Sequence, residues 1–214
     1  MFTYKPLKDA AGIALFCDYL SLKRAHEILH DVNERSPLIR DKEGLFLSLA
    51  FDVRKAYEGQ RLKQEADPMH PEAGTRLGFE ILWPTLLIQC RQLRDSLAFI
   101  DHGKEHQIVA YELEFVIEQA VEAEFRESFA EIKAQWVRLS ARHPFLEENA
   151  GTRAAQFAAW NKRERRNGLA GLLSTLDPMY PSLYPMWVRN GSTYLVSPEE
   201  YAQWNNREFR DPNW

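Results

Sequence analysis

Residues 105–142 read EHQIVAYELEFVIEQAVEAEFRESFAEIKAQWVRLSAR, and they decide the fold because they hold the longest helical pattern in the chain. In the second half of this stretch, apolar residues recur at intervals of three and four, at Phe125, Phe129, Ile132 and Trp136. In the first half a different face is apolar, and the change falls near residues 121–123. The pattern predicts one long helix that changes packing partners or two helices in series.

Outward from this stretch, the sequence predicts a mainly α fold of the α+β class, with a multi-helix core and short β-hairpins near the N- and C-termini. Residues 2–5 and 12–17, rich in Phe, Tyr and Ile, predict the first hairpin. Apolar residues at helical spacing recur in five further stretches: 22–33, 41–58, 77–100, 145–166 and 169–176. Within the third of these, Pro84 indicates a kink or the start of a new helix.

The second hairpin is predicted from residues 187–196, where Asn190-Gly191 separates two short runs that favour strands. Ser197-Pro198 then predicts the start of a helix. We therefore divide the chain into two parts. Residues 1–176 form a helical core domain with the N-terminal hairpin, and residues 177–214 form an aromatic hairpin–helix appendage packed on that core.

Composition indicates an ordinary soluble protein. The chain has 214 residues, of which 45% are hydrophobic and 27% are charged, and its net charge is -4. A negative net charge argues against a nucleic-acid partner, because neutralising phosphates requires excess basic charge. No apolar run approaches the ~18 residues that a membrane-spanning helix needs. We expect a cytoplasmic protein without a membrane partner, in which Cys17 and Cys90 are buried free thiols.

The segment His26-Glu27-Ile28-Leu29-His30 matches the H-E-x-x-H pattern of zinc proteases. Residues four apart share a helix face, so His26 and His30 could bind one Zn²⁺ while Glu27 activates a water molecule as the catalytic base. The apolar stripe of this helix, however, lies on another side, which favours exposed histidines. A third ligand would also be needed, and the candidates share no recognisable spacing: His70, His102, His106 and His143.

Two charged patterns have both a functional and a structural interpretation. Glu114, Glu118 and Glu122 form one row at a spacing of four, which could coordinate a metal or simply form a solvated face. Residues 162–166, KRERR, could contact phosphate or could interact favourably with a helix C-terminus. We favour the structural interpretation for both.

Three stretches resemble an uncharacterised bacterial family, a domain of unknown function. They are Asp18-Tyr19 followed by Leu22, residues 51–61 (FDVRKAYEGQR), and residues 81–84 (ILWP). The resemblance covers the first half of the chain. It implies a bacterial, mostly helical protein with an N-terminal hairpin, and it implies no activity, ligand or catalytic residue.

Within the second stretch, Arg54, Tyr57 and Arg61 would share one flank if the helix continued past Gly59. Charged groups beside a buried face must be paired or hydrated, so these residues could line a pocket with Asp52 or Glu58. A surface network of ion pairs is the alternative, and we favour it.

The aromatic residues near the C-terminus could form a partner-binding face, because Trp and Tyr dominate interface hot spots. These residues are Trp187, Tyr194, Tyr201 and Trp204, together with Phe209 and Trp214. A small satellite core is the alternative. We expect a non-enzymatic binding or assembly protein without a cofactor, a homo-oligomer that uses this face or the long helix. The alternative function is a hydrolase with a zinc cofactor at His26 and His30.

Overall fold

The structure, a computed structural model, describes residues 1–66, 69, 71 and 74–208. Its strands are β1 (Thr3–Pro6), β2 (Gly12–Cys17), β3 (Leu62–Gln64) and β4 (Arg76–Leu82). The longer helices are α1 (Tyr19–Arg35), α2 (Leu45–Tyr57), α3 (Trp83–Leu97), α4 (Lys104–Glu124), α5 (Phe129–Arg138), α6 (Pro144–Ala159), α7 (Lys162–Ser174) and α8 (Tyr180–Arg189). Short helix α9 (Pro198–Ala202) and a 3₁₀ turn (Gln203–Asn206) follow. The predicted mainly α, α+β fold is confirmed.

The four strands form one antiparallel sheet in the order β1-β2-β4-β3. The predicted N-terminal hairpin is its β1–β2 pair, with Thr3 opposite Phe16. Residues 77–82 were predicted as the beginning of a helix, which is wrong, because they belong to β4 and pair with all of β2. A strand with apolar residues on both faces has the same short-range pattern as a buried helix, so only pairing decides between them.

Helix α3 begins directly after β4 and is buried around most of its circumference. Pro84 lies in its first turn, where the missing N–H would have no helical partner. The predicted new helix start is therefore correct, and the kink is not needed. Helices α1, α2, α4, α5 and α6 all pack against α3.

The stretch 105–142 contains two helices in series, α4 and α5, as one of the two interpretations predicted. The chain leaves the first helix at Phe125, whose buried ring meets Trp83 edge-on at 5.7 Å between ring centroids. Residues 125–128 then redirect the backbone, so the apolar face of α5 points to a different part of the core. The change of apolar face near residues 121–123 in the sequence therefore corresponds to the break between α4 and α5.

The break between α6 and α7 lies at residues 160–161, not at the predicted turn 167–168. Asn161 accepts hydrogen bonds from the backbone N–H of Arg163 and Glu164, and the Glu164 carboxylate accepts one from Asn161 N–H at 2.7 Å. This capping box starts α7 earlier than predicted. Gly168 therefore lies inside α7. A glycine suits this position because the ring of Trp160 occupies the space that a Cβ would need.

The predicted C-terminal hairpin is wrong. Residues 187–189 are the last turn of α8, and Gly191 follows with φ +71°. The N–H of Ser192 donates to the Trp187 carbonyl at 3.0 Å, and that of Gly191 donates to Val188 at 3.1 Å. These two bonds are a Schellman helix end. A left-handed backbone, which Asn-Gly favours, is needed both in a tight hairpin turn and at a Schellman helix end. The dipeptide alone therefore does not distinguish a hairpin from a helix end.

Both cysteines are buried free thiols, as predicted, Cys17 on β2 and Cys90 on α3. Burial raises the pKa of each thiol above its ordinary value. In the part of the chain that the structure describes, no helix combines the length and apolar character needed to cross a bilayer.

Candidate functional site

Two separately predicted sites meet where α1 packs on α2. The ring of His26 on α1 lies 4.5 Å from that of His30 and 5.6 Å from that of Tyr57 on α2, measured between centroids. Tyr19 covers the other edge of Tyr57 at 5.7 Å. Helix α1 begins at Tyr19, three residues before the predicted stretch 22–33, because its N-cap is Asp18, which accepts the Ser21 N–H at 2.8 Å.

The environment of His26 differs from that of the rest of the motif. Glu27 and His30 are exposed, whereas His26 is half-buried under the Tyr57 ring. Its Nε2 atom is enclosed and has no hydrogen-bond partner in the described part of the chain. Burial first, then the nearby charges of His30 and Arg54, lower the pKa of His26 below its ordinary value.

Within the part of the chain that the structure describes, the histidine pair has no third metal ligand. His106 Nε2 lies 3.0 Å from Asp31 Oδ2, His102 Nδ1 lies 3.0 Å from the Ile100 carbonyl, and His143 caps α6. The remaining candidate, His70, lies outside the described residues. Over residues 1–66, 69, 71 and 74–208, no group of three His, Cys, Asp or Glu could bind a metal ion. The zinc-hydrolase alternative therefore has no supporting geometry there.

The predicted flank of Arg54, Tyr57 and Arg61 does not form one helix face, because α2 ends at Tyr57 and Gly59 has φ +73°. The Arg61 guanidinium instead turns back to Asp52, with Nη2 2.8 Å from Oδ1. Arg54 Nε lies 3.9 Å from a Glu58 carboxylate oxygen. These contacts have the geometry of partly exposed ion pairs, which contribute little to stability.

The glutamate row on α4 is largely ion-paired. Glu114 binds Arg94 through both carboxylate oxygens, and Arg94 also stacks on the ring of Tyr111 at 4.0 Å. Glu118 pairs with Lys133 on α5 at 3.0 Å. The carboxylates are therefore used to join neighbouring helices to α4.

Two of the C-terminal aromatic residues, Trp204 and Tyr201, pack into or against the main hydrophobic core. Trp204 is buried and meets Trp160 edge-on at 5.8 Å, and Tyr201 packs against the buried Tyr180 at 5.7 Å. Phe209 and Trp214 lie outside the described residues. Tyr180 connects this cluster to Trp187, because the centroids of their rings lie 5.3 Å apart. Trp187 and Tyr194 also line a surface groove.

Sequence reasoning missed Arg153, which is fully buried beneath Tyr201 and Trp204. Its guanidinium lies 5.3 Å from the Tyr201 ring centroid and donates at 3.1 Å to Thr175 Oγ1 and to Asn205 Oδ1. No carboxylate of the described residues pairs with it, and burial lowers its pKa. A charged residue within the apolar stripe Ala150, Ala154 and Phe157 was the available signal.

Sequence reasoning also missed the groove between α5, α7 and residues 190–195. Three adjoining cavities of about 240, 310 and 410 Å³ follow it. The first two share Gln135, Arg138 and Ser174, and the last two share Tyr194. The walls come from three separate segments of the chain, so no local pattern could have indicated them.

The long helix α4 carries an exposed apolar stripe. Ile108, Tyr111 and Phe115 are 44%, 60% and 48% exposed, and their spacing of three and four places them on one side of the helix. Lys104 and Glu122 continue the same side at its two ends, and both are exposed. Neither of these two charges has an ion-pair partner among the residues described.

The comparisons with known proteins support one part of the resemblance, a domain of unknown function, and show that its predicted limit to the first half of the chain is wrong. No curated protein and no solved structure matches the chain. A family model, described as a domain of unknown function (DUF6904), matches residues 2–194 and so continues well past the first half. The chain belongs to this DUF6904 family.

Proposed function

We propose that this protein is a non-enzymatic assembly protein that forms a homodimer through α4. The observation that supports this proposal is the exposed stripe of Ile108, Tyr111 and Phe115 on the longest helix. Single exposed apolar residues are common, but three large ones in a row on one helix face are typical of an interaction surface. Tyr and Phe are also enriched at interface cores.

The charges at the ends of the stripe favour a second copy of this chain as the partner. Lys104 and Glu122 are equally distant from residue 113, and so are Tyr111 and Phe115. When two copies of α4 pack their exposed stripes antiparallel about a two-fold axis at the level of residue 113, each Lys104 faces a Glu122, and each Tyr111 faces a Phe115. A parallel arrangement would place like charges together.

The length of the helix is sufficient for such an interface. Helix α4 spans about 31 Å. A stable interface buries about 800 Å² on each partner.

The proposal is tested by size-exclusion chromatography with light scattering over a range of concentrations. We expect a dimer for the wild-type chain and a monomer for Phe115→Glu, because the substitution buries an unpaired carboxylate at the two-fold interface. The matched control is Phe51→Glu on α2, a residue of similar exposure (44%) outside the stripe, which should leave the dimer intact.

Charge exchange tests the antiparallel arrangement. Lys104→Glu and Glu122→Lys should each weaken the dimer, and the double exchange should restore it because the pairs are re-formed in reverse. A monomeric wild-type chain at high concentration, or a dimer that survives Phe115→Glu, would contradict the proposal.

The cytoplasmic location, the bacterial origin and the division of the chain at residue 176 stay predictions, as does the absence of a cofactor and of a nucleic-acid partner. The glutamates of α4 and the net charge of -4 support the last of these, because they would repel phosphates.

A further inference from the structure

The middle cavity of the groove, of about 310 Å³, has the construction of a binding site. One face of α5 forms its floor, with Glu131, Gln135 and Arg138 at helical spacing. Ser174 of α7 and the side chain of Trp187 form its walls, and residues 191–195 form its rim. The floor and the walls belong to helices α5, α7 and α8, and the rim is held by its own contacts with α7 and α8.

The rim is held in place at two points. Tyr194 has φ +59°, a backbone conformation that is unfavourable for a residue with a side chain, and its carbonyl lies against Gly171 of α7, where a Cβ would collide with it. The buried Tyr180 hydroxyl donates to the Val196 carbonyl at 2.7 Å and accepts from the Val196 N–H at 2.9 Å. A rim anchored in this way preserves the cavity without a ligand.

The two charged side chains of the cavity, Glu131 and Arg138, differ in their partners. The Arg138 guanidinium faces Asp177, with Nη2 3.6 Å from Oδ2, and lies 5.5 Å from the Trp187 ring centroid. Its charge is therefore compensated. The half-buried Glu131 carboxylate has no ion-pair or hydrogen-bond partner within residues 1–66, 69, 71 and 74–208, and its Oε2 atom is buried. An unpartnered buried carboxylate oxygen costs free energy.

We propose that this cavity binds an alkylammonium group, such as the side chain of a lysine in a partner protein, with Glu131 as its counter-ion. An ammonium supplies three N–H donors, of which one satisfies Glu131. The hydroxyls of Ser192 and Thr193 at the rim can accept the others, and the aliphatic stem can lie along Trp187. The proposal is independent of dimer formation through α4, because α4 contributes no residue to this cavity.

The experiment is an NMR titration of the ¹⁵N-labelled full chain with Nα-acetyl-lysine N-methylamide. The indole N–H signal of Trp187 is assigned from its loss in Trp187→Phe. We expect saturable shifts of this signal with millimolar affinity, and none with the neutral analogue Nα-acetyl-norleucine N-methylamide. Glu131→Gln should weaken binding by about tenfold or more, because it removes a charge-assisted hydrogen bond without changing the shape of the side chain.

The matched control is Glu127→Gln, an exposed glutamate outside this cavity, which should bind the lysine probe like the wild type. Circular dichroism confirms that both variants are folded. Equal binding of the norleucine analogue, no saturable shift with the lysine probe, or unchanged affinity in Glu131→Gln would overturn the proposal. So would binding of Nα-acetyl-glutamate N-methylamide in place of the lysine probe, since that result would assign the cavity to Arg138.

Discussion

The ring of His26 lies between His30 of its own helix and Tyr57 of the next one. A spacing of four residues is what a zinc pair needs, but it is also what two stacked rings on one helix need. Here the second use is visible, because the two rings meet edge-on with 4.5 Å between their centroids, and the Nε2 atom of His26 is enclosed without a hydrogen-bond partner among the described residues. The histidine spacing therefore serves the packing of α1 against α2.

At this scale, we predict that His30→Gln raises the pKa of His26. Burial remains as the larger cause of the lowered pKa, but the variant removes the repulsion from a protonated His30. An NMR titration of the His26 ring protons measures the change directly. His143→Gln, which changes an exposed histidine at the start of α6, is the control and should have no effect. An unchanged pKa of His26 in His30→Gln would contradict the electrostatic explanation.

The same lowered pKa gives a dependence of stability on pH. The unfolded His26, with a pKa of about 6.5, takes up its proton before the folded one as the pH falls. The contribution of His26 therefore destabilises the fold progressively as the pH drops below about 6.5, until the folded residue also becomes protonated. It has no effect above that range.

At the scale of the elements, the backbone of residue 194 packs so closely on α7 that it restricts the side chain at position 171. Gly171 is buried in its interior, where the Tyr194 carbonyl leaves no room for a Cβ. Gly151, inside α6, is exposed and has no neighbour within 4 Å of an added Cβ. Both glycines lie inside a helix, but only Gly171 has a neighbour that excludes a larger side chain.

We predict opposite effects of Ala at these two positions. Gly151→Ala should stabilise the fold by about 0.5–1 kcal/mol, because Ala has the higher helix propensity. Gly171→Ala should destabilise it by about 1–3 kcal/mol, because the rim of the groove must move. Urea denaturation measures both. A stabilising Gly171→Ala would show that the Tyr194 carbonyl does not press on α7.

The elements also show what a sequence pattern can predict. The change of apolar face near residues 121–123 correctly indicated the break between α4 and α5, because helical periodicity is a local property. The predictions for β4 and for the end of α8 were wrong. A strand that is buried on both faces has the same pattern as a buried helix, and an Asn-Gly pair fits both a hairpin turn and a helix end. The contact of His26 with Tyr57 and the Glu131 cavity depend on packing between distant segments, for which the sequence has no period.

For the whole molecule, the C-terminal segment closes the core. Trp204 and Tyr201 cover the Arg153 guanidinium, which would otherwise require water or a counter-ion. The family match ends at residue 194, so the residues that cover Arg153 lie beyond it. Arg153 therefore links the matched region to the end of the described chain through Asn205.

We predict that Trp204→Ala destabilises the protein by about 3–5 kcal/mol, because it removes a buried aromatic side chain and uncovers Arg153. The matched control is Trp187→Ala at the groove. This residue is only half-buried, so its removal should cost less than about 2 kcal/mol. Urea denaturation of the two variants gives the comparison. Equal losses would contradict this prediction.

The two buried thiols have a practical consequence. Only a thiolate attacks the disulfide bond of a reagent such as Ellman's reagent, and burial keeps Cys17 on β2 and Cys90 on α3 both protonated and out of reach. Each therefore reacts only during an opening of its own surroundings. The chain thus carries two natural reporters, one in the sheet and one in the central helix, whose reaction rates reveal how often each part of the native structure opens.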